Sequence, residues 1–487
     1  MFEVSYLILL ASLGGVLAVH FSKARVNIFE PFLLTTVLFI LFYLVPLLYY
    51  YLYPEIYPLL DPSIVSQRIP LAAFVVALLY LSIAFGYALG RSLRITNGEW
   101  SRVRGDFPKD IDAVGLIVFF YCLAWISRIV LIYNGQYFQS VKSEVDNVLV
   151  LSYANILSEF YIVAVVLAGI RYKRSLGTPT SSARQLKAAR RLFYGMLVLE
   201  FLFAVPSGRK EAVLLIPLIV IFLNNFYGGY FRPRKIVVYG GAGFLIVVAY
   251  FAVNQVYRWA IEVIVMNGGT VDLGNMAQVF SLIREGTEML GNLGGAPDKI
   301  FDGETILFSV LGRIGGLVEP LVHILEVTPS QIDYKYGATL NVLVEFIPRL
   351  LWPEKPVTVI GNTLGREYGI LSPTDYATNI SFGLAGEAYL NFGLAGIVGI
   401  GIVLGFTMRR VYRSLIVQNH GDYFSLLLYF LFMYWFIGRI HVGISGTLVG
   451  FVKIVVIIFI VRYALIRGRL LLERATVGAR VRSASPL

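Results

Sequence analysis

The segment from Glu345 to Gly396 reads EFIPRLLWPEKPVTVIGNTLGREYGILSPTDYATNISFGLAGEAYLNFGLAG, and the chain is organised around it. It mixes prolines, glycines, aromatic residues and charges, whereas long apolar runs dominate the chain on both sides of it. A polar stretch in such a chain must lie in water or line a protected cavity, because lipid cannot satisfy irregular backbone. The sequence therefore predicts a membrane-embedded helical bundle whose outer mouth this stretch covers.

The overall composition excludes an ordinary soluble globular domain. Hydrophobic residues make up 57% of the chain and charged residues 15%, with a mean hydropathy of +0.73. The net charge of +11 comes from basic residues grouped between apolar runs, which favours a membrane orientation signal over nucleic-acid binding. A single cysteine, Cys122, excludes an internal disulfide and a cysteine metal cluster.

Apolar runs of roughly 20 residues predict membrane-spanning helices. About eleven such runs lie near 4–21, 31–53, 70–90, 112–133, 150–170, 192–206, 211–227, 236–256, 386–408, 424–444 and 447–466. The first run begins almost at Met1 without a preceding basic segment, so we expect it to be retained as a span. The predicted fold is an all-α polytopic membrane protein.

Four regions follow from this pattern. Eight spans are predicted in 1–256, a large outer loop in 257–385, three further spans in 386–466 and a cytoplasmic tail in 467–487. We expect short amphipathic helices within the loop, because the apolar segment 306–327 is broken by charges, glycines and a proline. On the other side of the membrane, the segment 175–190 is predicted to be a flexible loop.

Basic residues follow every second predicted span, which sets the orientation. By the positive-inside rule these segments face the cytoplasm. The N-terminus is then outside and the C-terminus inside. The basic groups are Lys23 and Arg25; Arg91, Arg94, Arg102, Arg104 and Lys109; Arg171, Lys173, Arg174, Arg184, Lys187, Arg190 and Arg191; Arg232, Arg234 and Lys235; Arg409, Arg410 and Arg413; and Arg467, Arg469 and Arg474.

Several cations lie on the opposite, outer side, where the same rule disfavours them. Such residues commonly mark sites for anionic groups. Simpler explanations stay open, since Arg209 and Lys210 can pair with Glu211 or extend to the membrane interface. The residues predicted to bind an anionic group are Arg209, Lys210, Arg313, Arg349 and Arg439.

Three charges fall within predicted spans, namely Arg128, Glu159 and Glu200. Each is costly when it faces lipid, so we expect them to face one another or a wet cavity. A structural Arg–Glu network and a polar wall of a substrate cavity are the two interpretations. Glycines are also frequent between 383 and 405, which predicts close packing of that span against its neighbours.

Four short motifs together resemble the Wzy-type O-antigen and oligosaccharide repeat-unit polymerases. They are SGRKE at 207–211, FIPRLLWPEKP at 346–356, GNTLGREYG at 361–369 and GEAYLNFGLAG at 386–396. The predicted topology is similar too, with one large outer loop before the last few spans.

The resemblance implies transfer of a polyprenyl-diphosphate-linked oligosaccharide onto a second lipid-linked repeat unit, outside the cytoplasmic membrane. It implies no cofactor, no nucleotide sugar and no metal. Donor and acceptor glycolipids and the lipid bilayer are the expected partners, together with a flippase and a chain-length regulator, and nucleic acid is not. In agreement, the chain has neither a P-loop motif nor an H-E-x-x-H motif.

The chemistry of this transfer suggests roles for individual residues. A departing diphosphate gains negative charge, so cations at its oxygen stabilise the transition state by about 1.5–3 kcal/mol per charge-assisted bond. Glu387 is the first choice for the catalytic base and His441 the second, although a carboxylate near a helix N-terminus is also stable without a catalytic role. The predicted sugar-binding residues, which can equally be interfacial anchors, are Trp352, Tyr368, Tyr389 and Asn391.

Two alternatives remain open at this stage. A ligase uses the same lipid donor and delivers the glycan to a different acceptor. A transporter of lipid-linked glycan or polysaccharide is the alternative from another class, and it favours broken helices in paired positions near the bilayer midplane. The grouping of unusual cations on one side of the predicted bundle favours a reaction at that surface.

Overall fold

A computed structural model describes the main helical part of the chain. The described residues are 2–54, 61–92, 113–134, 148–177, 182–204, 210–241, 316–339, 360–376, 380–418, 423–438 and 450–461, with a few single positions between and after them. Within these ranges every regular element is a helix. Six helices there are long and apolar enough to cross a membrane, which confirms the predicted helical membrane class.

The helices are numbered here in chain order. They are α1 (Phe2–Phe21), α2 (Pro31–Phe39), α3 (Val45–Leu52), α4 (Pro62–Ser92), α5 (Ala113–Tyr133), α6 (Val148–Ser158), α7 (Tyr161–Gly177), α8 (Ala183–Ala204), α9 (Lys210–Tyr227), α10 (Val318–Val327), α11 (Ile360–Glu367), α12 (Gly383–Tyr412), α13 (Tyr423–Phe432) and α14 (Gly450–Val461). Short π-helical turns join α2 to α3 and extend α12 and α13, at Ile40–Leu44, Arg413–Val417 and Met433–Ile437.

The predicted spans coincide with these helices where both can be compared. The six long spans are Glu3–Phe21, Pro31–Leu52, Pro62–Ser92, Val114–Tyr133, Tyr153–Gly177 and Gly383–Val417. Shorter apolar helices occupy three more of the predicted positions, at Ala212–Tyr227, Phe424–Ile437 and Gly450–Val461. Most of the span predicted at 236–256 and most of the loop predicted at 257–385 lie outside the described residues. The total of eleven spans stays a prediction.

The outer surface of the bundle is apolar. Ile126 and Val403 are 62% and 65% exposed, and many other large hydrophobic side chains on the long helices are similarly open. A protein surrounded by water rarely exposes contiguous apolar surface of this extent. The surface therefore fits a lipid environment.

The start of α8 differs from the sequence-based expectation of a flexible loop over 175–190. α8 begins at Ala183, so the basic residues of that segment lie on a helix. Ser182 and Gln185 form a reciprocal cap, in which the Gln185 N–H donates to Ser182 Oγ at 3.2 Å and the Ser182 N–H donates to Gln185 Oε1 at 3.1 Å. This capping box, followed by good helix formers such as Ala, Arg and Leu, explains the helical start.

Helices α4 and α12 pack with almost no side chain between their backbones. A Cβ atom added to Gly86 would lie 2.1 Å from the Ile402 carbonyl oxygen, and one added to Gly405 would lie 2.0 Å from the Ile83 carbonyl oxygen. Gly401 is similarly close to α4. The predicted close packing of the glycine-rich span is confirmed at these positions.

The charges predicted to form a network do so in part. Arg128 of α5 makes two bonds to the Glu200 carboxylate of α8, at 3.0 Å and 2.7 Å, and both side chains are almost fully buried. The Arg128 guanidinium also lies over the Tyr161 ring, 4.3 Å from its centroid. The third charge, Glu159, lies in the turn between α6 and α7 and is half-buried. The interpretation as a structural pair is confirmed for Arg128 and Glu200.

Contacts between helix ends define two sides of the bundle. One side is called the basic end here, because Arg409 lies there. At this end Glu30 accepts a hydrogen bond from Tyr87, near the end of α4. Arg409 near the end of α12 donates to the same tyrosine hydroxyl at 3.2 Å. The opposite side, which we call the loop end, carries α10, α11 and the start of α12, and there Arg68 of α4 pairs with Glu326 of α10.

We expect Gly405→Ala to destabilise the protein by about 1–3 kcal/mol, because a methyl group there must push the two backbones apart. Gly399→Ala is the matched control, since an added Cβ at Gly399 meets nothing within 4 Å. Thermal unfolding in detergent measures the effect. Equal melting temperatures for the two variants would contradict the close contact of α4 with α12.

Candidate functional site

Helix α12 is interrupted inside the GEAYLNFGLAG motif. Phe392 has φ −141° and ψ 18°, and Gly393 has φ 59° and ψ −142°, so neither is helical. The positive φ favours glycine, which has no Cβ. A Cβ at Gly393 would also lie 2.8 Å from the Tyr334 hydroxyl oxygen. The positive φ and the nearby Tyr334 hydroxyl therefore both favour glycine at position 393, where the helix is interrupted.

The break lets a loop segment, 334–339, dock on the helix. The Lys335 N–H donates to the Leu390 carbonyl at 2.9 Å, and the Tyr336 N–H donates to the Asn391 carbonyl at 3.0 Å. Carbonyl groups just before an interruption lack their normal helical partners, and these two are satisfied by the loop. The motif and the loop segment are therefore held together through backbone groups.

The Asn391 side chain strengthens the same junction. It is fully buried, donates to the Thr339 hydroxyl and to the Glu387 carbonyl (2.7 Å for the latter), and accepts the Gly337 N–H at 3.0 Å. These bonds use both the donor and the acceptor ends of the amide. The sequence predicted that Asn391 binds sugar. In the structure its side chain binds the loop segment 334–339.

Glu387, the predicted catalytic base, lies one helical turn before Asn391 and is 5% exposed. Its Oε2 atom accepts the Ile444 N–H at 2.5 Å. Gly443 has φ 110°, and a Cβ added there would lie 2.7 Å from the same carboxylate oxygen. The carboxylate thus joins the GEAYLNFGLAG motif to Gly443 and Ile444 of the sequence motif GRIHVGISG (438–446), whose Arg439 and His441 lie outside the described residues.

The three aromatic residues predicted to bind sugar lie in different surroundings. Tyr389 is mostly buried against Tyr334, with ring centroids 6.1 Å apart and an interplanar angle of 68°. Tyr368 is also buried, and burial raises the pKa of its phenol; its hydroxyl lies 3.1 Å from Thr328 Oγ1. Trp352 is 38% exposed. Of these aromatic rings, Trp352 therefore offers the most open surface to a ligand.

The predicted anion-binding side chains lie outside the described residues. Lys210 begins α9, but its side chain is outside the described residues. His441, the second predicted base, lies entirely outside the described residues. The remaining predicted cations outside the described part are Arg209, Arg313, Arg349 and Arg439.

Two further cations at the loop end were missed by sequence reasoning. Arg68 pairs with Glu326 of α10, and Lys335 pairs with Glu367 at the end of α11. Arg68 falls in the segment 54–69, which the predicted orientation places outside. The rule that singled out the other outer cations therefore identifies Arg68 when it is applied to this segment.

Helix α10 was expected to lie on the bundle with one polar face. It packs against α4 and α12 of the bundle, and every residue in it except Glu319 and Glu326 is buried. Burial raises the pKa of the Glu319 carboxyl group. The apolar sequence of α10 is therefore explained by protein neighbours on several sides.

No three His, Cys, Asp or Glu side chains come together as a metal site within the described ranges. No family model, curated protein or solved structure matches the chain. Among the described residues, the bond from the Ile444 N–H to Glu387 brings Ile444 to the motif segment 386–396.

Asn391→Ala is expected to loosen the loop segment 334–339, because it leaves the Gly337 N–H without its acceptor at a cost of about 1–3 kcal/mol. Hydrogen exchange should become faster at Gly337 and Lys335 than in the parent protein. The control is Asn134→Ala, since the exposed Asn134 amide bonds only to a carbonyl of its own helix among the contacts described. Unchanged exchange at Gly337 would show that Asn391 does not hold the loop.

Glu319→Gln should raise the melting temperature at neutral pH but not near pH 4. Because burial raises the folded-state pKa of Glu319 above 4.5, its protonated form favours folding, and this stability is lost as pH rises through the folded-state pKa. Glutamine does not titrate. Thermal unfolding from pH 4 to pH 7.5 measures the difference between the two proteins.

The matched control for this titration is Glu326→Gln on the same helix. That substitution removes the partner of Arg68, so it should lower the melting temperature at neutral pH. A constant difference between Glu319→Gln and the parent at all pH values would contradict the titration of Glu319.

Proposed function

We propose that this protein polymerises oligosaccharide repeat units carried on a polyprenyl diphosphate, as the Wzy-type family does. The observation that supports this most is the hydrogen bond from the Ile444 N–H to the buried Glu387 carboxylate, at 2.5 Å. It connects the motif that carries the family resemblance to the segment that contains Arg439 and His441. A proton acceptor and displaced cations are the two kinds of group that this reaction requires.

In the proposed reaction, Glu387 accepts the proton of the acceptor sugar hydroxyl. The hydroxyl oxygen then forms a bond to the anomeric carbon of the donor glycan. The bond from that carbon to the diphosphate oxygen breaks, and the polyprenyl diphosphate leaves with the electron pair. His441 is the alternative base in this scheme.

The cations in the proposal stabilise the leaving group. Charge builds up on the diphosphate oxygen in the transition state, so fixed positive charges there lower the barrier without a metal ion. The residues proposed for this role are Arg209, Lys210, Arg313, Arg349 and Arg439.

The buried polar residues support the reaction indirectly in this proposal. Asn391 and Tyr389 hold the segment 334–339 against α12, as their contacts with Gly337 and Tyr334 suggest. Tyr368 is buried beside Thr328. Trp352 then supplies an open aromatic face for a sugar ring.

The proposal also includes a topology. Eleven spans cross the cytoplasmic membrane, the loop end faces outside together with the N-terminus, and the C-terminus faces the cytoplasm. Support comes from the basic end, where contacts gather Arg25, Arg232 and Arg409 on the side opposite α10 and α11. The positive-inside rule assigns such a side to the cytoplasm.

Glu387→Gln tests the proposed base. Its amide oxygen can still accept the Ile444 N–H, so the fold should be kept while the proton acceptor is lost. Polymerisation should fall by about 100-fold or more, the range that general base catalysis supplies. The assay uses full-length protein in proteoliposomes with lipid-linked repeat units, and product length is read from gels.

Glu367→Gln is the control, because this carboxylate is more exposed and pairs with Lys335 at the same end of the bundle. Equal loss in both variants would overturn the role of Glu387. A parent protein that makes no ladder without a separate acceptor would point to a ligase. Absence of glycan transfer to any acceptor, with movement of the glycolipid across the membrane, would point to a transporter.

A further inference from the structure

A cavity of about 890 Å³ lies at the basic end of the bundle, far from Glu387. Its wall is formed by the connector between α1 and α2, the end of α9 and the helical segment that follows α9. The residues that matter for its chemistry are Arg25, Arg232, Lys235, Tyr230, Ile28 and Ile221. Cationic, aromatic and aliphatic groups thus share one cavity.

A backbone pairing brings the two cationic connectors together. The Val26 N–H donates to the Phe231 carbonyl at 2.8 Å, and the Phe231 N–H donates to the Val26 carbonyl at 3.1 Å. The neighbouring residues of this pair are Arg25 and Arg232, which are separated by more than 200 positions in the sequence. An orientation signal requires only that cations lie on one side of the membrane, and it does not require this pairing.

The Arg25 guanidinium packs closely against Gly229 in the cavity wall. Its φ is 79°, and a Cβ added there would lie 2.7 Å from Arg25 Nη1. Glycine is therefore favoured for its backbone conformation and also for the space that the guanidinium occupies. Arg25, Arg232 and Lys235 are exposed, and the Arg25 guanidinium rests against Gly229 at the mouth of the cavity, where a ligand from outside can reach all three cations.

All the described charged side chains that line the cavity are cationic. Three cations line it, and none of its described lining residues is acidic. Across the described residues, no ion pair joins Arg25, Arg232 or Lys235 to a carboxylate. A site of this kind favours an anion, and phosphate suits the planar donor groups of arginine.

We propose that this cavity binds the phosphate headgroup of an anionic phospholipid from the leaflet at the basic end. The cavity lies where apolar helices end, which is the depth of lipid headgroups in a bilayer. Its volume exceeds that of a phosphate ion and leaves room for the glycerol and the first carbons of the chains beside Ile28 and Ile221. Basic pockets between spans on this side are suited to anionic lipids. The site is independent of the proposed glycosyl transfer.

Thermal unfolding of the full-length protein in detergent tests the site with three probes: phosphatidylglycerol, phosphatidylcholine and inorganic phosphate. Phosphatidylglycerol should raise the melting temperature of the parent protein, while the other two should not. The triple variant Arg25→Gln, Arg232→Gln, Lys235→Gln should bind phosphatidylglycerol about 100-fold more weakly, given the usual contribution of each basic residue near anionic lipid.

The matched control is the triple variant Arg184→Gln, Lys187→Gln, Arg190→Gln, which removes the same charge from the exposed start of α8. It should keep the phosphatidylglycerol effect. Gly229→Ala should weaken the effect without a change in charge, and native mass spectrometry of each folded variant counts the bound lipid. Equal losses in both triple variants would overturn the site, as would equal stabilisation by phosphatidylcholine. Stabilisation by inorganic phosphate as large as that by phosphatidylglycerol would assign the cavity to a free anion and overturn the lipid proposal.

Discussion

The direct backbone contact of α4 with α12 is the constraint on which the rest of the described bundle depends. Between helices in lipid, van der Waals packing supplies much of the attraction, because lipid tails are as apolar as leucine side chains. Gly86, Gly401 and Gly405 allow this packing to be close. The contact fixes both ends at once, since α4 carries Tyr87 at the basic end and Arg68 at the loop end.

Polar groups inside the bundle follow from the same environment. An apolar interior makes an unpaired charge costly, so the Arg128 guanidinium and the Glu200 carboxylate bind each other directly. The break in α12 obeys the same rule at the level of the backbone. Irregular backbone is tolerated there because the N–H groups of Lys335 and Tyr336 replace the helical donors.

The break in α12 also fixes the loop segment 334–339 at the loop end. A continuous helix would leave no carbonyl groups for the loop segment 334–339, and that segment would have no fixed position beside Asn391. With the break, the loop segment bonds to Asn391 and Ile444 bonds to Glu387 within two turns of one helix. The proposed reaction uses this rigid junction, whereas the proposed lipid site uses a separate junction at the basic end.

Local patterns in the sequence determined the helical membrane class, the positions of the long spans and the need for close packing near Gly401 and Gly405. These properties depend on runs of neighbouring residues, because the hydrophobicity needed to cross a bilayer and the size of a side chain are both local. The pairing of Arg128 with Glu200 was also accessible, since a buried charge requires an opposite charge. The capping box at Ser182 and Gln185 is a local signal for the start of α8. The basic composition of the segment led to the prediction of a loop there.

Which distant segments meet follows from the packing of the helices, not from local sequence patterns. The burial of α10, the pairing of Arg68 with Glu326, the docking of Gly337 on Asn391 and the cavity between Arg25 and Arg232 all join residues far apart in the chain. Such contacts depend on the crossing of helices and on where a helix breaks, and no run of neighbouring residues specifies either one. The sequence thus set which groups must find partners, and the packing of the helices selected the partners.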